Sequence, residues 1–253
     1  MLSFKHSGEL GPNIAIWIPS LGQTSVMWAE ISSSLDDWSH IFVDLPGHGS
    51  NAPATESFTL AELAEECLQY LKREAKNWDR VLVAGLSIGG IVALELARLL
   101  PKGSLAVVMG AGATMGDPKV WQSRADLART SGTAVMKDAA RVRWFTEEFV
   151  TSHPEKTNRA LDNLGSVDGE SYALCSEALG SFDGTQLARD IAIPVLVLSA
   201  TNDEVSPPEN GRSLSELIPS GEFIEIPNAK HLFPLEKSNE VTGQILDFVN
   251  DKN

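Results

Sequence analysis

The chain has 253 residues, 43% of them hydrophobic, and a formal net charge of −14 with an isoelectric point of about 4.7. Such an acidic surface repels phosphate backbones and anionic membranes, so the composition argues against nucleic-acid or membrane partners. The two cysteines lack a disulfide or metal-binding spacing, no apolar run is long enough to span a bilayer, and the N-terminus has no signal-peptide core, so we expect a cytoplasmic protein.

Six short apolar segments predict β-strands. Most of them lack the alternation of a half-exposed strand, which favours strands buried on both faces, as in a parallel sheet. The predicted strands cover residues 14–18, 40–45, 81–84, 105–109, 195–199 and 222–226.

Helical patterns lie between these strands. Residues 59–76 begin with Thr59 and Glu62, which fit a capping box, and a second helix should follow Ser87 and stop at Pro101. A final helix should start near Ser238. Alternating strands and helices of this kind predict an α/β fold with a mostly parallel, doubly wound sheet.

Residues 113–185 contain no convincing strand. Gly and Pro divide them into predicted helices at 118–128, 133–149, 155–164 and 170–179. Because this region lies between two strands, the simplest interpretation is a helical cap inserted over the carboxyl edge of the sheet. The core domain would then comprise residues 1–112 and 186–253.

The sequence Gly85-Leu86-Ser87-Ile88-Gly89 follows a buried strand and opens a helix. A serine hydroxyl must be exposed at a sharp turn and activated by a base before it can act as a nucleophile. Small residues on both sides relieve crowding at such a turn. The motif therefore predicts that Ser87 is a nucleophile and that the N–H of Ile88 forms half of an oxyanion hole.

The acid and the base of a triad should follow the serine in the order acid, then histidine. Asp203, just after the strand at 195–199, is the best candidate for the acid, with Glu204 as the alternative. His231 is the only histidine that follows both Ser87 and Asp203, and it lies in a loop after the last strand. His48, between two glycines, is assigned to a tight turn instead.

The second oxyanion donor should come from the loop after the strand at 14–18. We assign it to the backbone N–H of Leu21.

Together the segments "AGLSIGG", "VDLPGHG", "SATNDEVSPP" and "NAKHLFPLE" resemble the α/β-hydrolase fold superfamily over nearly the whole chain. Within it, "SLG", "SVMW", "RVRWFTEEFV" and "SYALCSEAL" look like the 3-oxoadipate enol-lactonases. The resemblance implies a Ser87–His231–Asp203 triad, oxyanion N–H groups at Leu21 and Ile88, and hydrolysis of a small carboxylated enol-lactone to 3-oxoadipate without a cofactor. The chain departs from the family pattern at Pro19, where histidine is common, and in its short start before the strand at 14–18.

A substrate carboxylate needs a cation or strong donors once it is desolvated. Arg141 and Trp144 lie three residues apart in the predicted cap, so they should share one helix face and contact the substrate, with Arg143 pointing elsewhere. The alternative, that Arg141 and Arg143 are both solvated surface charges, stays open.

Other functions fit the same motifs. A carboxylesterase, a carbon–carbon bond hydrolase or a perhydrolase could share every triad residue, and a non-catalytic ligand-binding protein could retain the fold. The expected partner is a small ester or lactone. The sequence leaves the oligomeric state open, including a homodimer.

Overall fold

A seven-stranded sheet forms the centre of the protein in the computed structural model, which describes residues 1–6 and 8–252. The strands are β1 (Ser3–Lys5), β2 (Asn13–Ile18), β3 (Ser39–Asp44), β4 (Arg80–Leu86), β5 (Leu105–Met109), β6 (Val195–Ala200) and β7 (Gly221–Ile226). Their order across the sheet is β1-β3-β2-β4-β5-β6-β7, and every neighbouring pair is parallel except β1 with β3. The predicted mostly parallel α/β sheet is confirmed.

The inner strands are apolar on both faces because helices cover both sides of the sheet. All residues of β5 and β6 are buried, and β4 is buried except at its first residue. The six predicted strands are all present. The edge strand β1 was not predicted, since three residues are too few to show a periodic pattern.

Helices lie in most connections between the strands and after the last strand. They are α1 (Ala29–Ser32), α2 (Leu60–Glu74), α3 (Ile88–Leu99), α4 (Pro118–Ser131), α5 (Lys137–Trp144), α6 (Glu147–Ser152), α7 (Pro154–Gly165), α8 (Gly169–Gly180), α9 (Thr185–Arg189), α10 (Pro208–Leu217), α11 (Phe233–Glu236) and α12 (Ser238–Asp251). Short 3₁₀ segments occupy Ser25–Trp28 and Ala134–Met136. The predicted capping box at the start of α2 is present: the Thr59 hydroxyl accepts from the Glu62 N–H, and the Glu62 carboxylate accepts from the Thr59 N–H.

Helices α4 to α8 lie between β5 and β6 in the chain. The segment that carries them leaves and rejoins the core at adjacent points, where Thr114 bridges Asp183 and the Gly184 N–H donates to the Ala113 carbonyl at 2.8 Å. The two ends of the insertion are therefore held together at its base.

The prediction of one continuous helix over residues 133–149 was wrong. A 3₁₀ turn and α5 end at Trp144, Phe145 is extended with φ −133° and ψ 148°, and α6 starts after Thr146. The Thr146 hydroxyl accepts from the Phe149 N–H, so an N-cap in the middle of a helical composition divides the segment. The break places Trp144 at the last position of α5.

The carboxyl ends of β4, β5 and β6 meet at one edge of the sheet, as parallel strands require, and the cap helices lie over that edge. Among residues 1–6 and 8–252, no helix combines the length and apolar character needed to cross a bilayer.

Candidate active site

Ser87 occupies a sharp turn between β4 and α3. Its backbone has φ 58° and ψ −119°, a conformation that a residue other than glycine adopts only where its surroundings enforce it. The Ser87 N–H donates to the Met109 carbonyl at 2.8 Å, which ties the turn to the neighbouring strand. The side chain of Ser87 is 2% exposed and lines a pocket beneath the cap.

Two glycines make this turn sterically feasible. A Cβ atom on Gly85 would overlap the backbone of Gly89, and a Cβ atom on Gly89 would overlap the carbonyl oxygens of Ile18 and Pro19. Backbone cannot move aside as a flexible side chain can. The sequence requirement for small residues on both sides of the serine therefore has a direct steric cause here.

Asp203 and His231 form a buried, hydrogen-bonded pair. His231 Nδ1 lies 2.7 Å from Asp203 Oδ2, and the two residues are 2% and 3% exposed. The other carboxylate oxygen, Oδ1, accepts from the N–H groups of Val205 at 2.8 Å and Ser206 at 3.0 Å. Because an ionised carboxylate only accepts hydrogen bonds, the proton lies on Nδ1 and leaves Nε2 free to act as a base.

Ser87 and His231 line the same pocket. Within the described part of the chain, the Ser87 hydroxyl does not form a hydrogen bond with the imidazole; such bonds are often long before substrate binds and shorten in the complex. The alternative acid, Glu204, has an exposed side chain. The geometry thus brings Asp203, rather than Glu204, to the histidine.

Two backbone N–H groups near Ser87 are available for an oxyanion. Ile88 is the first residue of α3, and Leu21 lines the pocket beside Ser87. Among the described residues, neither N–H donates a hydrogen bond to the backbone or to a side chain. Free N–H groups at a helix start and in a neighbouring loop are the elements from which an oxyanion hole is built.

The cap contributes Trp144 to the pocket, but the predicted orientation of the two arginines, Arg141 inward and Arg143 elsewhere, was wrong. Arg141 is exposed and borders a separate surface cavity, whereas Arg143 lines the pocket with Ser87. The inward face of the segment runs through Met136, Ala140, Arg143 and Trp144. Successive residues rotate by about 100° around a helix, so Arg141 lies well off the face centred on Ala140.

A second arginine that the sequence analysis missed, Arg124 on α4, lines the same pocket. Its guanidinium lies 4.5 Å from the centre of the Trp121 ring. Burial lowers the pKa of Arg124, and the charge of Arg143 acts in the same direction. Two partly buried cations therefore line the same pocket.

Neither pocket arginine is neutralised by an acidic side chain within residues 1–6 and 8–252. The Nε atom of Arg143 is buried without a hydrogen-bond partner. A signal for Arg124 did exist in the sequence, because it lies three residues after Trp121 and beside the apolar stripe Trp121, Ala125 and Ala128. The sequence does not show that this face of α4 lines the same pocket as Arg143.

The loop that carries His231 is joined to the end of α5. The Leu232 N–H donates to the Trp144 carbonyl at 3.1 Å, and Lys230 Nζ donates to the Val142 carbonyl at 2.7 Å. The Glu236 carboxylate accepts from the Lys230 N–H at 3.0 Å and from the Thr146 N–H at 2.9 Å, and it also accepts from the Thr146 hydroxyl. These contacts hold the pocket end of the cap and the histidine loop as one unit.

A strand–serine–helix elbow, a buried Asp–His pair and free N–H groups thus lie at one edge of a mostly parallel sheet. Sequence comparison matches residues 15–243 to the alpha/beta hydrolase family, and the chain belongs to that family.

The comparisons also identify particular relatives. The chain is 28% identical to 3-oxoadipate enol-lactonase 2 of Acinetobacter baylyi, over 93% of this chain and 88% of that protein. It is 24% identical to a putative carbamate hydrolase RutD of Yersinia enterocolitica, over 97% and 91% of the two chains. The crystal structure of the enol-lactonase from Burkholderia xenovorans superimposes with a TM-score of 0.90 at 28% identity, covering 98% of this chain and 96% of that one.

Proposed function

We propose that this protein hydrolyses a small carboxylated enol-lactone, with 3-oxoadipate enol-lactone as the candidate substrate. The observation that carries this proposal is the pair Arg124 and Arg143, which lines one pocket with Ser87 and has no acidic partner among the described residues. The 28% identity to two enol-lactonases supports the same substrate class.

The charge of the pocket favours an anionic substrate. Buried cations are costly unless they are paired, and Arg143 Nε already lacks a hydrogen-bond partner. A carboxylate placed between the two guanidinium groups would supply the missing charge and acceptors. In a protein of net charge −14, two neighbouring arginines without acidic partners create a local positive potential that favours an anion.

In the first chemical step, Ser87 Oγ attacks the lactone carbonyl carbon while His231 Nε2 takes the hydroxyl proton. Asp203 stabilises the imidazolium and holds its Nδ1–H in place. The carbonyl oxygen becomes an oxyanion and accepts from the N–H groups of Leu21 and Ile88. Collapse of this intermediate breaks the acyl–oxygen bond of the ring, and His231 returns its proton to the enol oxygen.

In the second step, the enol tautomerises to a ketone and a water molecule attacks the acyl-enzyme, with His231 again acting as base. The ring oxygen remains attached to the acyl chain, so the product leaves only after the ester to Ser87 is hydrolysed. The product carries two carboxylates, of which one was present in the substrate.

The experiment is a direct assay of the lactone by ultraviolet absorbance, run in parallel with neutral p-nitrophenyl esters. The proposal expects fast turnover of the carboxylated lactone, slow turnover of the neutral esters, and loss of both in Ser87→Ala. Faster turnover of neutral esters would favour a general carboxylesterase, and no turnover of any ester would favour a non-catalytic binding protein.

A further inference from the structure

The loop after β2 forms a tight turn over Ser20–Gln23. The Gln23 N–H donates to the Ser20 carbonyl at 3.0 Å, and Gly22, the third residue, has φ 85°. Leu21, the second residue, is not among the described residues with positive φ. Positive φ at the third position alone defines a type II turn, in which the central peptide is rotated by about half a turn relative to type I.

The turn decides where the Leu21 N–H points. The C=O and N–H of one trans peptide point in opposite directions. Because the Ser20 carbonyl points into the turn towards Gln23, the Leu21 N–H of the same peptide points out of it. Ser20 and Leu21 both line the pocket with Ser87.

His48 holds the next peptide of this turn. The Gly22 N–H donates to His48 Nε2 at 3.0 Å, across 26 positions of sequence, and His48 Nδ1 lies 2.8 Å from the Pro46 carbonyl. A carbonyl oxygen can only accept, so the proton of the ring is on Nδ1 and Nε2 offers a lone pair. In a type I turn the central peptide would present its carbonyl oxygen on this side instead, and the ring would lose its donor.

The packing around His48 leaves it little freedom. The side chain is 0% exposed, and its neighbours Gly47 and Gly49 have φ of 69° and 59°. A Cβ atom on Gly49 would lie 3.0 Å from the Thr24 side chain, and one on Gly47 would overlap Ser171 of α8. Farther along the loop, the Asp44 carboxylate accepts from the Ser25 N–H at 2.6 Å.

We propose that His48 is a positioning residue for the oxyanion hole: it accepts from the Gly22 N–H and thereby holds the Ser20–Gln23 turn in place, so that the Leu21 N–H, which belongs to the Ser20–Leu21 peptide, points out of the turn towards the reacting oxygen. The inference rests on the proposed function in so far as Leu21 serves as an oxyanion donor. His48 itself touches no substrate in this assignment.

The test compares His48→Gln with His48→Met. The two new side chains have similar lengths, but only glutamine has an amide oxygen that can accept from the Gly22 N–H. Losing an oxyanion donor lowers kcat by about 10²–10³-fold, so a misdirected one in His48→Met should lower kcat by about 10–100-fold with KM nearly unchanged. Affinity for an alkyl boronic acid, whose adduct with Ser87 places an oxygen in the oxyanion hole, should fall by the same factor. His48→Gln should restore most of both. Equal losses in the two variants would overturn the proposal.

A measurement on the unmodified protein covers the case in which the variants fail to fold. Long-range ¹⁵N–¹H NMR should show His48 as the neutral tautomer with its proton on Nδ1, and the Gly22 amide should exchange slowly with solvent. A proton on Nε2, or rapid exchange of Gly22, would overturn the inference. These NMR measurements do not depend on turnover, so they test the role of His48 separately from the proposed function. A failure of the proposed function would instead appear as the absence of Ser87-dependent hydrolysis.

Discussion

The imidazole of His231 lies 2.7 Å from the carboxylate of Asp203, although the two residues are 28 positions apart and belong to different loops. Backbone contacts join these loops: the Asn202 N–H donates to the Ala229 carbonyl at 3.0 Å, and the Thr201 N–H donates to the Ile226 carbonyl at 3.0 Å. The Asp–His pair is therefore set by the ends of β6 and β7, and its geometry should survive conservative changes of either side chain.

Asp203→Asn should lower kcat about 10³–10⁴-fold with little effect on KM. The amide keeps the shape of the carboxylate but loses its charge and can present a donor to Nδ1, which favours the wrong tautomer of His231. The matched control is Glu204→Gln, which alters the exposed neighbouring acid and should leave kcat within about twofold. A comparable loss in both variants would mean that Asp203 is not the partner of the base.

Arg124→Met and Arg143→Met should each raise KM for the carboxylated lactone about 10- to 100-fold. The expected loss corresponds to one charge-assisted hydrogen bond, and neutral esters should be affected far less. Arg141→Met changes an exposed arginine outside the pocket and serves as the control, with KM unchanged. Steady-state kinetics with the lactone and with a neutral ester test this prediction. An equal rise in KM for both substrates would show that the arginines do not contact the substrate carboxylate.

Glu236→Ala should reduce the free energy of unfolding by about 1–3 kcal/mol. The substitution leaves the N–H groups of Lys230 and Thr146 without their acceptor at the junction of the cap and the histidine loop. Glu216→Ala, at an exposed position of α10, should change stability by less than about 0.5 kcal/mol. Urea denaturation of the two variants would contradict the role of Glu236 if their midpoints matched.

Gly89→Ala should prevent folding or destabilise the protein by several kcal/mol, because the added methyl group meets the fixed carbonyls of Ile18 and Pro19. Gly243 provides the opposite case. It lies within α12, and a Cβ atom there would meet nothing within 4 Å. Gly243→Ala should therefore stabilise the protein by about 0.5–1 kcal/mol, measured as a raised Tm.

Protonation of His48 should lower the free energy of unfolding at acid pH. Burial lowers the pKa of His48 to about 4, while its hydrogen bond to Pro46 and the charges of Asp44 and Asp168 act in the opposite direction. The unfolded histidine titrates near 6.5, so the unfolded state binds more protons between these values and stability falls as pH drops from about 6.5 to about 4.

The contribution of His48 to this loss should reach about 3 kcal/mol across the window, from the size of the shift. Since carboxyl groups also titrate near its lower end, the measurement is the difference in unfolding free energy between the wild-type protein and His48→Gln at several pH values. The difference should change steeply between pH 6.5 and pH 4. Parallel curves would show that His48 is not buried in its neutral form.

Local features could be predicted because their causes are local. Continuous apolar runs indicated buried parallel strands, the capping residues Thr59 and Glu62 lie three positions apart, and the elbow around Ser87 depends on glycines within two residues of it. The strand β1 and the helix break at Phe145 were missed for the same reason: three residues of strand and one N-cap carry too little signal against the surrounding composition.

The amino-acid sequence by itself determined the strand–helix alternation, the sharp turn that presents Ser87, and the chain order of the acid and histidine candidates, since each depends on residues that are near neighbours or on the order of the elements. Only the tertiary structure decided that Arg143 and Arg124 face the pocket while Arg141 does not, and that His48 meets Gly22. Those contacts depend on how whole helices and loops pack against one another. Packing brings together residues that are far apart in the sequence, and no local sequence pattern indicates which of them will meet.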